Sequence, residues 1–156
     1  MTIRRFTPAD AAAVVSLFRN TVRRVNLGDY TPEQVRAWAP DEISVGEWAA
    51  SMQGRFAVVA ESGGILVGFA DLAPDGHLDR LYVHADRQRE GIGRALLAAV
   101  VAEAERRGGA ELHVEASITA LPFFRAHGFV VVTRQTVVTR GVAFVNYRMV
   151  RAFDGT

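Results

Sequence analysis

The amino-acid sequence predicts a mixed α/β fold, in which a mostly antiparallel central sheet of about seven strands carries helices on both faces. Two turn signals, Ser62-Gly63-Gly64 and Arg140-Gly141, each join two strand-like apolar runs and predict antiparallel hairpins. A strand–helix–strand unit over residues 77–115 predicts local parallel pairing. The predicted order is β-α-α-β-β-β-α-β-α-β-β, and we expect one domain over residues 1–156.

The first half of the chain divides into a strand, helical segments and three further strands. Residues 2–6 predict the first strand, and Thr7-Pro8 is a start signal for a helix that continues to about residue 25. A second start signal, Thr31-Pro32, opens a helix that Pro40 ends. We then expect a further helical piece within residues 41–54, followed by strands at 55–61, 65–73 and 77–83.

The second half begins with a helix over about residues 91–107. Its apolar positions Ile92, Leu96, Val100 and Ala104 recur every four residues, which is typical of an amphipathic helix. After it we expect a strand at 111–116, a short helix at 119–127, and a closing hairpin of strands at 129–138 and 142–150.

The composition excludes several classes of chemistry. The chain has 156 residues and no cysteine, so disulfides, thiolate catalysis and cysteine-bound metals are impossible. The sequence also contains no lysine, which excludes Schiff-base chemistry and a phosphate-loop lysine. The arginines are scattered and the net charge is +1, so we expect no nucleic-acid partner. His84, His113 and His127 lack metal-ligand spacing, and we expect no metal.

Apolar runs are too short for a membrane span, and the first ten residues contain no signal-like apolar block. We therefore expect a cytoplasmic protein without a membrane partner.

Gly91 and Gly93 lie where a strand gives way to an amphipathic helix, in the stretch QREGIGRALL at 88–97. The first amides of a helix lack intrahelical partners, and glycines allow an anion such as a pyrophosphate to approach them. Arg89 and Arg94 can add positive charge from the sides. A dinucleotide fingerprint would need a third glycine where Leu96 stands, which argues against that cofactor class.

The pattern Gln88-x-x-Gly91-x-Gly93, after the strand LDRLYV, resembles the acetyl-CoA motif of the GNAT superfamily of N-acetyltransferases. Downstream, Ala120 and the segment FFRAHGF at 123–129 resemble the second signature of that family. The resemblance covers the whole chain in element order, and it is most specific over residues 77–129. It implies the GNAT fold, acetyl-CoA as cosubstrate, and a cleft opened by a bulge and by the splaying of two strands.

The resemblance also implies roles for main-chain groups. Those of the strand at 77–83 would pair with the pantetheine arm, one of its amides would face the thioester oxygen, and the loop amides would hold the pyrophosphate. The cofactor-binding residues implied are Leu81, Tyr82, Val83, Gln88, Arg89, Glu90, Gly91, Ile92, Gly93, Arg94, Ser117 and Phe124.

Two positions depart from the family pattern. Phe124 stands where the family often has a tyrosine that protonates the departing thiolate, and Ser117 replaces an asparagine. A thiol of pKa about 8.5 is a fair leaving group without an acid. Tyr82 and Tyr147 are the candidate substitutes, and Tyr82 is preferred because it lies on the cofactor strand.

A base is needed because an alkyl amine is mostly protonated at neutral pH. The candidates are His77, Asp79, Glu115 and Asp71, all on strands of the predicted cleft. His77 matches a position where some relatives carry a catalytic glutamate, and Glu115 can alternatively bind the substrate cation. The candidate substrate-binding residues are Tyr30, Trp38, Trp48 and Tyr147.

The predicted function is acetyl transfer from acetyl-CoA to a primary amine by direct attack in a ternary complex. The alternative is a non-catalytic acyl-CoA-binding sensor or regulatory module. The acceptor, a small molecule or a peptide amine, stays open at this point. A homodimer through the C-terminal hairpin is expected only by analogy with the family.

Overall fold

The computed structural model describes residues 1–153, and its elements follow the predicted order. The strands are β1 (Thr2–Arg5), β2 (Phe56–Ser62), β3 (Ile65–Leu72), β4 (Leu78–Val83), β5 (Glu111–Ser117), β6 (Val130–Thr139) and β7 (Val142–Ala152). The helices are α1 (Ala11–Val25), α2 (Pro32–Trp38), α3 (Val45–Ser51), α4 (Ile92–Arg106) and α5 (Leu121–Ala126). The mixed α/β fold is confirmed, and α3 is the further helical piece expected within residues 41–54.

The expected single sheet is instead divided into two sheets. One contains four antiparallel strands in the order β1-β2-β3-β4, and the other contains three in the order β5-β7-β6. One parallel bridge between His77 and His113 joins them, and the amide of His113 donates to the carbonyl of Gly76 at 3.1 Å. Within residues 1–153, β4 and β5 pair nowhere else, so a cleft opens beyond the bridge.

A β-bulge at Asp79 bends β4 beside this cleft. Leu72 pairs with Leu78 whereas Asp71 pairs with Arg80, which leaves Asp79 without a partner on β3. The extra residue increases the local twist of the strand and turns its edge. The bulge lies within an ion network, because the fully buried Asp71 carboxylate accepts from Arg80 at 2.8 Å.

Two hydrophobic cores lie on opposite faces of the sheets. Helices α4 and α5 cover the first core, which includes Leu78, Leu96, Leu112, Phe129 and Met149. Helices α1, α2 and α3 cover the second core, which includes Val14, Phe18, Val59, Phe69 and Phe144. Alternation along β4 sends Leu81 and Val83 to the first core and Tyr82 to the second.

Gly68 on β3 allows α4 to approach the sheet closely. A Cβ atom at this position would lie 2.9 Å from Leu96 Cδ1, 3.0 Å from Ile92 Cγ2 and 3.1 Å from the carbonyl oxygen of Tyr82. This contact fixes the first turn of α4 against the middle of the sheet, next to β4. This packing therefore fixes the position of the amino end of α4 relative to β4 and the cleft.

No helix within residues 1–153 is both long enough and apolar enough to cross a membrane.

Candidate active site

The loop before α4 has the backbone geometry that its glycines predict. Gly91 is the N-cap of α4 and adopts a left-handed conformation with φ of 83°, and Arg89 is also left-handed at 62°. A Cβ at Gly91 would meet nothing within 4 Å, so the loop faces open space there. Gln88 fixes the loop to the end of β4, since its Nε2 donates to the carbonyl oxygen of Val83 at 2.8 Å.

The face that this loop presents consists mainly of main-chain amides. Ile92 is only 2% exposed, so its side chain belongs to the core. Gly93 lies under Phe123, whose Cε1 would be 3.2 Å from a Cβ at that position. Arg89 and Arg94 are exposed and form no ion pair with any residue in 1–153. The helix tip therefore combines free amides with two unpaired guanidinium groups, which suits a diphosphate.

The edge of β4 that faces β5 has free hydrogen-bonding groups. The amide of His84 donates to the carbonyl of Val67 at 2.8 Å, so residues 82 and 80 also direct their main-chain groups towards β3. Leu81 and Val83 must then direct theirs towards the cleft. The carbonyl of Val83 accepts from Gln88 and from Thr21 Oγ1 at 3.0 Å.

The groups left for a ligand are the amides of Leu81 and Val83 and the carbonyl of Leu81. Such an edge suits an extended amide-bearing chain, which can pair with it as an added strand.

A cavity of about 190 Å³ lies between β4 and β5 and extends to the loop before α4. Gln88 and Gly93 line its outer end, and Phe123 and Phe124 of α5 line one wall. Ser117 lines it as well, and its Oγ accepts from the amide of Ala120 at 3.0 Å. This cavity is called the cofactor cleft below.

A second cavity, of about 280 Å³, lies under α2 and α3 and is also lined by β4 and β5. Its wall is largely aromatic and is completed by residues of the β6–β7 hairpin. It is called the acceptor pocket below. The two cavities share six residues, namely Trp38, Asp79, Arg80, Tyr82, Glu115 and Ser117. A group bound in one cavity can therefore meet a group bound in the other at these residues.

The candidate bases differ in their access to the shared region. Glu115 lines both cavities, its side chain is 38% exposed, and its Oε2 contacts His77 Nε2. His77 lines neither cavity and stacks on His113, with ring centroids 4.9 Å apart. Asp79 lines both cavities, but Arg55 contacts its Oδ2 at 2.6 Å.

Asp71, the fourth candidate base, is fully buried and lines neither cavity. Both Arg80 and Arg55 contact its carboxylate. These contacts indicate that Asp71 stabilises the strand pair next to the bulge.

The three tyrosines occupy different environments. Tyr82 is half-buried among Phe18, Phe69 and Trp38, and burial raises the pKa of its hydroxyl. The Tyr30 hydroxyl donates to the carbonyl of Val145 at 2.7 Å and accepts from the amide of Ile118 at 2.9 Å. Burial also raises the pKa of Tyr30.

Tyr147 lines neither cavity, because it lies on the face of β7 that packs against the first core. Phe144 and Asn146 occupy the other face and line the acceptor pocket instead. The structure therefore does not bring Tyr147 together with the other predicted substrate-binding residues, Tyr30 and Trp38. Phe124 is 4% exposed and packs edge-on against Phe129, with centroids 5.1 Å apart.

Several residues of the site were not predicted from the sequence. Thr21 of α1 and Asn26, which directly follows that helix, line the cofactor cleft, and Arg80 and Asn146 line the acceptor pocket. They lie on segments far apart in the chain and carry no motif. Only Asn146 left a local signal, as a polar residue within an apolar strand.

Within residues 1–153, no three histidine, aspartate or glutamate side chains are grouped so that they could hold a metal ion.

Comparison with known proteins gives consistent matches. A family model described as an acetyltransferase (GNAT) domain matches residues 26–151. The uncharacterized N-acetyltransferase YafP of Escherichia coli K12 is 33% identical over 147 residues, covering 94% of this chain and 93% of that protein.

Two solved structures illustrate the structural match. The GCN5-related N-acetyltransferase of Rhodopseudomonas palustris, also described as a class-II aminotransferase, is 34% identical with a TM-score of 0.93. That match covers 97% of this chain and 95% of that chain. The paiA N-acetyltransferase of Thermoplasma acidophilum, in complex with coenzyme A, shares the fold at 20% identity and a TM-score of 0.78. That alignment covers 97% of this chain and 98% of the other. The chain therefore belongs to the GNAT family of acetyl-CoA-dependent N-acetyltransferases.

Proposed function

We propose that the protein transfers the acetyl group of acetyl-CoA directly to a primary amine in a ternary complex, with residues 1–156 acting as one domain. The observation that carries the proposal is the meeting of two cavities at six shared residues. One cavity offers main-chain groups to an extended cofactor, and the other offers an aromatic pocket to a second molecule. Direct attack needs both reactants bound at once, and the two openings provide for this.

Acetyl-CoA would lie along the cofactor cleft. Its pyrophosphate would meet the amides between Arg89 and Arg94, and its pantetheine arm would pair with the free groups of Leu81 and Val83. The Leu81 amide is the donor we assign to the thioester oxygen, where negative charge develops during attack. The Thermoplasma protein of the same fold is in complex with coenzyme A, which supports coenzyme A as the class of ligand.

Glu115 is the group we assign to accept the proton of the amine. The ammonium first gives one proton to Glu115, which passes it to water; the neutral nitrogen then attacks the thioester carbon, the carbon–nitrogen bond forms, the carbon–sulfur bond breaks, and the second proton of the nitrogen passes to Glu115. His77 contacts the same carboxylate from outside the cavities and would orient it. Asp79 is less suited to this role because Arg55 already contacts its carboxylate.

The departing sulfur does not need a strong general acid. A thiol of pKa about 8.5 leaves readily as a thiolate, and the Tyr82 hydroxyl can donate a hydrogen bond to it. Burial raises the pKa of Tyr82, so this hydroxyl stays protonated throughout the working pH range. Phe124 has no proton to give and contributes apolar wall area beside Phe123 and Phe129.

The test combines a binding assay with a turnover assay. Acetyl-CoA is titrated by calorimetry, and coenzyme A release with a panel of amines is followed with a thiol reagent. The chain contains no cysteine, so the reagent reports only the product thiol. We expect binding and amine-dependent release; absence of binding at millimolar ligand in folded protein would refute the proposal.

Glu115→Gln tests the assigned base. We expect kcat to fall by about 10²–10⁴ while acetyl-CoA binding is retained. The exposed Glu33→Gln on α2 is the matched control and should behave as wild type. Binding of acetyl-CoA without release for any amine would instead favour the sensor or regulatory function.

A further inference from the structure

The acceptor pocket has an aromatic wall. Six aromatic side chains line it, namely Phe18, Tyr30, Trp38, Trp48, Tyr82 and Phe144. Trp38 lies edge-on to Tyr30, Tyr82 and Phe144, with centroid distances of 5.4, 6.5 and 6.1 Å. Such a wall offers both ring faces and ring edges to a flat apolar body. Its volume of about 280 Å³ lies near the lower limit for small-molecule sites.

The charges of the pocket are confined to one end. Arg80 is the only basic residue among its lining residues, and its guanidinium is engaged by Asp71 at 2.8 Å and covers the Trp48 ring at 4.3 Å. Arg55 similarly engages the Asp79 carboxylate. The two arginines balance these two aspartates, and Glu115, which pairs with no arginine in residues 1–153 and is contacted by His77, brings one further carboxylate to the place where the pocket meets the cofactor cleft. This arrangement suits a single cationic group at the reacting end.

Two polar atoms of lining residues lack partners. Trp48 Nε1, a donor, and Asn146 Oδ1, an acceptor, are closed to bulk water and hydrogen-bond to no residue in 1–153. Trp48 as a whole is 9% exposed. An unpaired buried polar atom is unfavourable, so a ligand hydroxyl that reaches one of these atoms after a small turn of its side chain gains affinity. A hydroxyl group can accept from Trp48 or donate to Asn146.

We propose that the acceptor is a monocationic primary amine joined by a short apolar chain to an aromatic ring that carries a hydroxyl or similar neutral polar group. This inference rests on the proposed function, because it assigns the amine to the end of the pocket where the acetyl group would arrive. The ring fills the aromatic wall, the ammonium group faces Glu115, and the ring substituent meets Trp48 or Asn146.

The same features argue against two other acceptor classes. A polyamine carries several positive charges along its length, but the acids that line the pocket, Asp79 and Glu115, both lie at the reacting end. A peptide amine would place several polar main-chain groups against a wall that is mostly aromatic. Both classes would therefore bury polar or charged groups without partners.

Occupancy of the pocket can be measured without turnover. The chain contains two tryptophans, Trp38 and Trp48, and both line the pocket, so intrinsic fluorescence reports on ligand binding there. We expect tyramine to quench this fluorescence in protein saturated with coenzyme A. No quenching at millimolar tyramine, in protein that binds coenzyme A by calorimetry, overturns the acceptor assignment while leaving the transferase proposal intact.

Turnover then ranks four probe amines: tyramine, phenethylamine, spermidine and a hexapeptide with an N-terminal alanine. We expect kcat/KM for tyramine to exceed that for spermidine and for the peptide by about tenfold or more, and that for phenethylamine by about fivefold. Asn146→Ala should reduce the ratio of kcat/KM for tyramine to that for phenethylamine, and the exposed Asn20→Ala should leave this ratio unchanged. A higher value for spermidine or the peptide, or equal values for the two aryl amines, overturns the acceptor assignment. Quenching by tyramine without turnover of any amine supports the ligand class and refutes the transferase proposal.

Discussion

Replacing Gly68 by alanine tests whether the close approach of α4 to the sheet determines both stability and cofactor binding. The new Cβ would lie 2.9 Å from Leu96 Cδ1, 3.0 Å from Ile92 Cγ2 and 3.1 Å from the carbonyl oxygen of Tyr82. Carbon atoms in contact normally lie about 3.5–4.0 Å apart, so each contact is too short. Leu96 and Ile92 are buried, and the Tyr82 carbonyl belongs to the β3–β4 ladder, so none of them can simply turn away.

Overpacking of this kind costs about 1–3 kcal/mol, and alanine recovers about 0.5–1 kcal/mol because glycine is entropically unfavourable within a strand. The expected net loss is about 1–2 kcal/mol, which lowers Tm by about 2–8 °C in a domain of this size. Affinity for coenzyme A should also fall, since a shift of the first turn of α4 moves the loop amides.

Thermal unfolding followed by circular dichroism and calorimetric titration of coenzyme A measure the two effects. Gly46→Ala on α3 is the control, because its Cβ would meet nothing nearer than 4.0 Å and its φ is not positive. We expect that variant to be as stable as wild type or up to about 1 kcal/mol more stable. A Gly68→Ala protein with unchanged Tm and unchanged affinity would contradict the steric argument.

Three further predictions follow from local geometry. Gly91→Ala places a side chain at φ of 83°, so we expect the free energy of unfolding to fall by about 1–2 kcal/mol and calorimetry to show weaker coenzyme A binding. The Arg4 guanidinium holds the pKa of Asp10 below its usual 3.8, so ionised Asp10 adds to the free energy of unfolding above that pH, and this stabilisation is lost as the pH falls below it. In urea titrations across acid pH, Asp10→Asn should reduce the loss of stability on acidification. Asn146→Leu removes a buried unpaired acceptor, and urea unfolding should show about 1 kcal/mol greater stability without ligand.

The secondary structure could be predicted because each element carries its own local signal. The four-residue apolar period of α4 and the capping residues Thr7 and Thr31 need no information from elsewhere in the chain. The division of the sheet could not be predicted in the same way. It depends on where β4 separates from β5, and that point is set by the bulge at Asp79 and by a buried contact between Asp71 and Arg80.

The loop before α4 and the acceptor pocket also differ in how far they could be predicted from the sequence. The loop before α4 offers main-chain groups, and the glycine at the left-handed N-cap position, Gly91, is a local signal that the sequence shows directly. The acceptor pocket consists of side chains from α1, α2, α3 and β4–β7. No local pattern links residues so far apart, which is why Asn146 and Arg80 were missed.

The bridge between His77 and His113 determines which acidic or basic side chains near β4 and β5 can reach the cavities. The family resemblance made His77 a candidate base, but His77 forms the parallel bridge with His113, where the two strands are still joined. Two residues further along each strand are Asp79 and Glu115, and both line the cavities because the strands have separated there. Arg55 contacts the carboxylate of the bulged Asp79 and compensates its charge, which is why we propose Glu115 as the carboxylate that receives the proton. His77 lies at the last bridge and lines neither cavity, so in the proposed mechanism it would act on the reaction through Glu115.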